Sequence, residues 1–150
     1  MKLAATYALS APRDKVFAAI TDPAVLQKCI DGCEKMVKTG GGSYDAHLKL
    51  GLAGIKGSYV GKIQLRDVKA PQSYTLLIEG KGVPGFVKGT AKISLAEKKP
   101  GHTELRCDAD ALVGGMIAAV GSRLVEAAAK RMMDEFFKKF AAQLDPSSRK

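Results

Sequence analysis

The chain has 150 residues, of which 46% are hydrophobic and none is tryptophan, and its formal net charge is +9. A chain of this length buries roughly 70% of its unfolded surface, so one domain with its own core is expected without disulfides. The composition argues against a membrane-spanning helix, because the most apolar segment, 111–121, is about half the length that crosses a bilayer. It also argues against nucleic acid as a partner, since aromatic and basic residues do not interleave on any strand.

The predicted elements follow the chain in a simple order. Residues 2–9 alternate as a strand, and a first helix starts near Pro12 and is broken by Asp22-Pro23. A second short helix covers 24–28. The spacing at which apolar residues recur then changes from 3.6 residues to 2 and stays there for about 80 residues, which predicts six strands joined by short turns. The last segment, about 115–144, contains no proline and predicts one long helix.

This order predicts an α+β fold of the helix-grip type. Strands joined by short turns pair antiparallel, so about seven strands form one curved sheet. Such a sheet covers its apolar face with the only large element left, the C-terminal helix. Residues 1–144 are expected to form this single domain, and 145–150 form a polar tail that is compatible with truncation of a longer chain.

The alternation also assigns side chains to the two faces of the sheet. Many positions on the apolar face are small, which indicates either close packing of the helix on the sheet or an internal cavity, and we favour the cavity. The predicted apolar face consists of Tyr44, Ala46, Leu48, Leu50, Tyr59, Gly61, Ile63, Leu65, Tyr74, Leu76, Ile78, Gly80, Val87, Gly89, Ala91, Ile93, Leu95, Leu105, Cys107, Ala109, Ala111 and Val113.

The long helix shows an apolar stripe that changes sides. One side, which is expected to face the sheet, carries Met116, Ile117, Val120, Leu124, Ala127 and Ala128. Arg131 falls in line with them and either extends to solvent or reaches the cavity rim. Met133, Phe136, Phe137 and Phe140 lie on the opposite side, where the phenylalanines either pack on the first strand and the short helices, which we favour, or form a docking surface for a partner.

No catalytic or metal site is predicted. His47 lies on the polar face of a strand and His102 lies in a turn, so a histidine-dependent triad has no candidate. Cys29 and Cys33 could face the same side of a helical turn, but two thiolates make an incomplete zinc site. Cys107 alternates with charged neighbours and is expected in the core. An enzyme activity therefore has no set of converging side chains to carry it.

Several short motifs resemble those of a known family and occur in its order along almost the whole chain, from about residue 2 to residue 141. They are Cys29-Ile30-Asp31-Gly32-Cys33-Glu34, Ile55-Lys56-Gly57 with Gly61-Lys62, Gly80-Lys81-Gly82 with Gly85-Phe86 and Lys88-Gly89, and Gly121-Ser122-Arg123-Leu124 with Glu135-Phe136-Phe137. The chain resembles the carbon-monoxide dehydrogenase G-subunit family, within the START-like, polyketide-cyclase-like helix-grip superfamily. Asp31 stands where that family usually has proline.

The resemblance implies a non-catalytic accessory protein that links a molybdenum-containing carbon-monoxide dehydrogenase, or a related oxidoreductase, to the membrane. It implies a respiratory quinone or a lipid as bound ligand, no covalently bound cofactor, and contact with the inner face of the cell membrane. A cytoplasmic protein is expected from the residues themselves, because three cysteines are an odd number and no N-terminal stretch is apolar enough for a signal peptide. The alternative is a docking adaptor with a filled core and no ligand.

These arguments select two sets of residues. The predicted cavity lining is Tyr59, Ile63, Leu76, Ile78, Phe86, Ala91, Val120, Leu124, Ala127 and Arg131. The predicted membrane or partner contacts are Leu52, Ile55, Val83, Phe86, Lys130, Lys138 and Lys139.

Overall fold

The computed structural model describes residues 1–51 and 55–144, in which one seven-stranded antiparallel sheet is covered on one side by helices. The predicted curved sheet around a C-terminal helix is confirmed. The strand order is β1-β7-β6-β5-β4-β3-β2, so β1 and β2 form the two edges. The elements are β1 (Lys2–Leu9), α1 (Arg13–Ile20), α2 (Pro23–Cys29), β2 (Cys33–Gly40), β3 (Ser43–Leu50), β4 (Gly57–Lys69), β5 (Ser73–Gly82), β6 (Gly85–Lys99), β7 (His102–Gly114), α3 (Met116–Ala119) and α4 (Ser122–Leu144).

The boundary between the two short helices has a local cause. The Asp22 carboxylate accepts a hydrogen bond from the Ala24 amide at 2.9 Å, which caps the N-terminus of α2. Pro23 follows in the first turn, where its missing N–H costs nothing. Asp22-Pro23 therefore ends one helix and starts the next.

The two faces of the sheet are those that the alternation predicts. Cross-strand pairs such as Ile63–Ile78 and Ala91–Ala109 join members of the predicted apolar set. None of that set is exposed, whereas the charged residues of the opposite face are exposed except for the partly covered Asp45. We call the apolar side the inner face and the charged side the outer face.

Two clusters of buried apolar residues hold the helices on the inner face. The large cluster joins α1, α2 and the C-terminal half of α4 to the sheet: Leu9, Ala11, Val16, Ile20, Cys29, Tyr74, Ala91, Ile93, Leu95, Leu105, Cys107, Phe137, Phe140 and Leu144. The small cluster joins α3 and the N-terminal half of α4 to β4: Ile55, Tyr59, Ile117, Val125 and Ala128. A third cluster of Met36, Tyr44 and Ala46 lies near the β2 edge.

The large cluster confirms the packing predicted for the phenylalanines. The Tyr7 ring on β1 stacks on Phe137 with 4.2 Å between centroids, and Phe140 is completely buried. Cys107 is in the same cluster, as expected.

The predicted single helix over 115–144 is wrong in one respect, because the structure breaks it between α3 and α4. Gly121 lies at the break with φ = +104°, a backbone conformation that residues other than glycine rarely adopt. The break allows α4 to be rotated about its axis relative to α3. Val125 and Ala128 are buried and Met132 is partly buried, so they form the side that packs on the small cluster.

Candidate functional site

The middle of the inner face connects the large cluster, to which Ala91 belongs, with the small cluster, against which Val113 packs, and it is not fully covered. Its residues form three cross-strand rows, which we call the central rows. Ala91 and Gly61 are buried, but the other members are partly accessible. Their side chains carry no donor, acceptor or charge. The rows are Leu65–Leu76–Ala91–Ala109, Ile63–Ile78–Gly89–Ala111 and Gly61–Gly80–Val87–Val113.

Two glycines of the central rows have different surroundings. A β-carbon added at Gly80 would meet no heavy atom of residues 1–51 and 55–144 within 4 Å, so the described part of the chain leaves open space above this position. A β-carbon at Gly89 would lie 2.7 Å from the Asp110 carbonyl oxygen, so this glycine is required by the close approach of β7. The open space is therefore located over β5.

Two tyrosine hydroxyls of the inner face donate hydrogen bonds to main-chain carbonyls. The Tyr59 hydroxyl donates to the Ile55 carbonyl at 2.6 Å, and the Tyr44 hydroxyl donates to the Thr21 carbonyl at 2.6 Å. Burial raises the pKa of both tyrosines, with Asp22 adding to the effect at Tyr44. A molecule in this space would be held by apolar contact and not by hydrogen bonds.

Half of the predicted lining residues lie together on the inner face. Ile63, Leu76 and Ile78 are partly accessible members of the central rows, and Ala91 is a buried member. Tyr59 is buried in the small cluster beside them. That these residues contact a ligand stays a prediction.

Phe86 is a correction, since it lies on the outer face. It pairs with Lys81 on β5 and with Gly114 on β7. Its neighbour Val87 is the inner-face residue and pairs with Gly80 and Val113. Because side chains alternate along a strand, the two neighbours point to opposite faces.

The predicted helical stripe is the second correction. Val120, Leu124, Ala127 and Arg131 are all exposed, whereas Ile117 and Ala128 of the same predicted stripe are buried in the small cluster. Leu124 is 43% exposed while its neighbour Val125 is 7% exposed. Part of the predicted stripe therefore lies outside the packed side of the helix.

The predicted contact residues fall in different places. Ile55 is a correction, because it is buried in the small cluster, and Leu52 lies outside the described residues. Lys138 is exposed at the C-terminal half of α4. Lys130 lies 4.0 Å from Asp134, and Lys139 lies 3.6 Å from Asp31. That these lysines contact a partner stays a prediction.

Exposed apolar side chains concentrate at one end of the molecule, which we call the pole. The pole consists of 83–86 and 112–124, two segments joined where the Ile117 amide donates to the Pro84 carbonyl at 2.8 Å. Val83, which was predicted, is 91% exposed; Leu112 at 65% and Met116 at 61% were missed. Six of the nine exposed large apolar residues of the described chain belong to it: Val83, Phe86, Leu112, Met116, Val120 and Leu124.

A separate depression of about 500 Å³ opens on the outer face beside β5, β6 and β7. It is lined by polar and apolar groups that include Leu77, Glu79, Lys88 and Asp110. Of the predicted lining residues, Ile78 alone borders it. Among residues 1–51 and 55–144, no helix combines the length and the apolar character needed to span a bilayer.

Solved structures similar to this chain place it in a known fold. A conserved protein from Geobacillus kaustophilus is 35% identical, with a TM-score of 0.92 over 96% of this chain and 95% of that one. A START superfamily protein from Mycobacterium smegmatis is 12% identical, with a TM-score of 0.76 over 95% and 96% of the two chains. The Zhui aromatase/cyclase from Streptomyces sp. R1128 is 13% identical, with a TM-score of 0.71 over 96% and 93%.

The last two comparisons establish the START-like fold alone, since their sequence identity is low. No curated protein matches the chain. A family model for CoxG, the G-subunit of carbon monoxide dehydrogenase, matches residues 6–145. With nearly the whole chain matched, this protein belongs to the CoxG family of carbon monoxide dehydrogenase G-subunits.

Proposed function

We propose that this protein binds an apolar small molecule, a respiratory quinone or a lipid, over the central rows of the inner face and catalyses no reaction itself. The open space above Gly80 carries the proposal, because it lies on an apolar surface that the two clusters leave partly uncovered. The nearby tyrosine hydroxyls are occupied by main-chain carbonyls, which leaves neither of them free for acid–base chemistry there.

Apolar contact alone supplies enough binding free energy for such a ligand. Burial of apolar area contributes about 25 cal/mol per Å², so covering about 200 Å² of an isoprenoid or acyl chain contributes about 5 kcal/mol. This figure is an upper bound, because ordering the chain opposes binding. A ligand recognised in this way would keep its polar head outside the central rows.

The partner in this proposal is a carbon-monoxide dehydrogenase of the molybdenum type or a related oxidoreductase, in keeping with the family to which the chain belongs. The pole is the side that would meet the membrane. Its apolar residues lie near the exposed basic residues Lys81 and Arg123. A basic residue near an anionic lipid surface contributes about 1 kcal/mol, so the two kinds of side chain would act together.

Native mass spectrometry of the protein as purified, with solvent extraction and re-addition of a prenylated quinone or a phospholipid, tests ligand binding. The informative variant is Gly80→Leu, which fills the open space, and its control is Gly40→Leu, where a β-carbon also meets no atom within 4 Å but the position is exposed. We expect one ligand per chain in the wild type and in Gly40→Leu, and loss of the ligand in Gly80→Leu. A wild type that binds neither compound would overturn the proposal.

Membrane contact is tested separately by sedimentation with anionic vesicles. Val83→Asp with Met116→Asp puts charges on the pole, and Val37→Asp with Val68→Asp puts them on exposed valines elsewhere. Binding should fall in the first variant and not in the second. Equal losses would mean that net charge, and not the pole, decides binding.

The exposed stripe Val120, Leu124, Ala127 favours a second candidate, a docking adaptor whose interior holds no ligand. Two variants distinguish the two candidates. An adaptor would capture its partner enzyme equally well when Gly80 is replaced by Leu and would lose capture when Leu124 is replaced by Asp.

A further inference from the structure

The two edges of the sheet are protected to different degrees against pairing with another strand. The β2 edge carries Glu34, Lys35 and Lys38, and its pairing with β3 shifts register at both ends. The Gln27 side chain also donates to the Glu34 carbonyl at 3.1 Å. Charges, register shifts and covering groups are the devices by which natural sheets prevent strand addition.

The β1 edge is much less protected. Its eight residues pair with β7 without a register shift, from Lys2–Asp110 to Leu9–Thr103. Lys2 is its only charged residue, and the exposed side chains that follow are Ala4, Thr6 and Ala8. A regular edge of this length with so little charge is a template for main-chain pairing.

We propose that β1 pairs antiparallel with β1 of a second copy of this chain, about a two-fold axis that joins the two seven-stranded sheets into one. A two-fold interface uses the same patch on both copies and must be self-complementary. The proposal does not depend on ligand binding.

The side chains of β1 satisfy this requirement. Facing residues of antiparallel strands lie on the same face, so only some registers are allowed. One register sets Lys2 opposite Ala8 and Leu3 opposite Tyr7, and the next sets Ala4 opposite Ala8 and Thr6 opposite Thr6. Neither register sets two charges opposite each other, an arrangement that would be destabilising.

The flank of the edge adds to the interface. The Tyr7 hydroxyl donates to the Asp134 carboxylate at 2.9 Å, so α4 lies beside β1. Asp134 and Lys130 are exposed there and form a weak ion pair at 4.0 Å. The α4 helices of the two copies would meet near the axis and extend the contact beyond main-chain pairing, as stable interfaces of about 1,200 Å² or more require.

The decisive variant is Ala4→Lys with Ala8→Lys. In the single chain the two introduced lysines would face Asp108 and Glu104 on β7, which favours folding. In the dimer, the lysine introduced at position 8 would face Lys2 of the second copy in one register. In the other register it would face the lysine introduced at position 4. The control, Val37→Lys with Thr39→Lys, adds the same charge at exposed positions of the β2 edge.

Light scattering after size exclusion measures the mass of each form, and thermal melting verifies that each is folded. We expect twice the chain mass for the wild type and the control, and a single-chain mass for Ala4→Lys with Ala8→Lys. Amides of β1 should also exchange more slowly with solvent in the wild type than in that variant. A wild type with a single-chain mass, or a folded variant that keeps twice that mass, would overturn the proposal.

Discussion

The ring of Phe86 lies over the main chain of Gly114, its cross-strand partner, and occupies the space that a side chain at position 114 would need. An aromatic ring that covers a glycine on the next strand restores packing that the glycine lacks. This pair closes the outer face at the pole, next to the start of α3.

Gly114→Ala should lower the free energy of unfolding by about 1–2 kcal/mol, because the new methyl group displaces the Phe86 ring. The same substitution in a Phe86→Ala background should cost much less, since the ring is gone. Chemical denaturation of the four proteins of this cycle gives the coupling energy. Equal costs in both backgrounds would show that the ring does not exclude the side chain.

Gly80→Ala and Gly89→Ala form a matched pair on the inner face. Gly80→Ala should raise the free energy of unfolding by about 0.5 kcal/mol, because alanine restricts the unfolded chain and meets no atom in the folded one. Gly89→Ala should lower it by about 1–3 kcal/mol, because its β-carbon is forced against the Asp110 carbonyl and Ala111. Urea titrations measure both, and destabilisation by Gly80→Ala would contradict an open space at that position.

Substitutions at two adjacent residues test which side of α4 packs on the sheet. Val125→Ala should lower the free energy of unfolding by about 2 kcal/mol, because Val125 is buried in the small cluster. Leu124→Ala should change it by less than about 0.5 kcal/mol, since Leu124 is exposed. A larger loss of stability in Leu124→Ala than in Val125→Ala would instead support the stripe predicted from the sequence.

Alkaline pH should destabilise the fold in part through Cys107. Burial, with a smaller effect of Asp108, raises the pKa of its thiol from 9.0 to about 11. A pKa that is higher in the folded state contributes stability that is complete below about pH 9 and is lost as the pH rises through about 11. Melting temperatures across this range should fall less in Cys107→Ala than in the wild type. Both proteins should continue to lose stability at higher pH because of Tyr74, since burial also raises the pKa of its hydroxyl.

Strand alternation predicted the faces of the sheet well because one face is buried, and a shift of one residue would expose every apolar side chain. Alternation also assigned Val87, and not Phe86, to the apolar face, and the pairing of Val87 with Gly80 and Val113 agrees. Phe86 was selected as a lining residue for its place near the hairpin turn, and its pairing with Lys81 and Gly114 puts it on the outer face.

The helix could be predicted, but not its rotation. Alanine-rich sequence without proline identifies a helix, and Gly121 was a signal that it is interrupted. How far the break rotates α4 depends on the packing of Ile117 against β4 and α4, which no local pattern contains. Residues that depend on that rotation, such as Leu124 and Ala127, were therefore placed on the wrong side, whereas Arg131 extends to solvent, one of its two predicted positions.

The unequal sizes of the two clusters have a consequence for how the molecule opens. Among the described residues, the small cluster holds α3 and the first half of α4 with five buried members, whereas the large cluster holds the other end with fourteen, including Phe137 and Phe140. Local opening should therefore begin at the pole at a lower free energy than global unfolding. A bound ligand could then enter and leave by local opening at the pole while the large cluster keeps the rest of the chain folded.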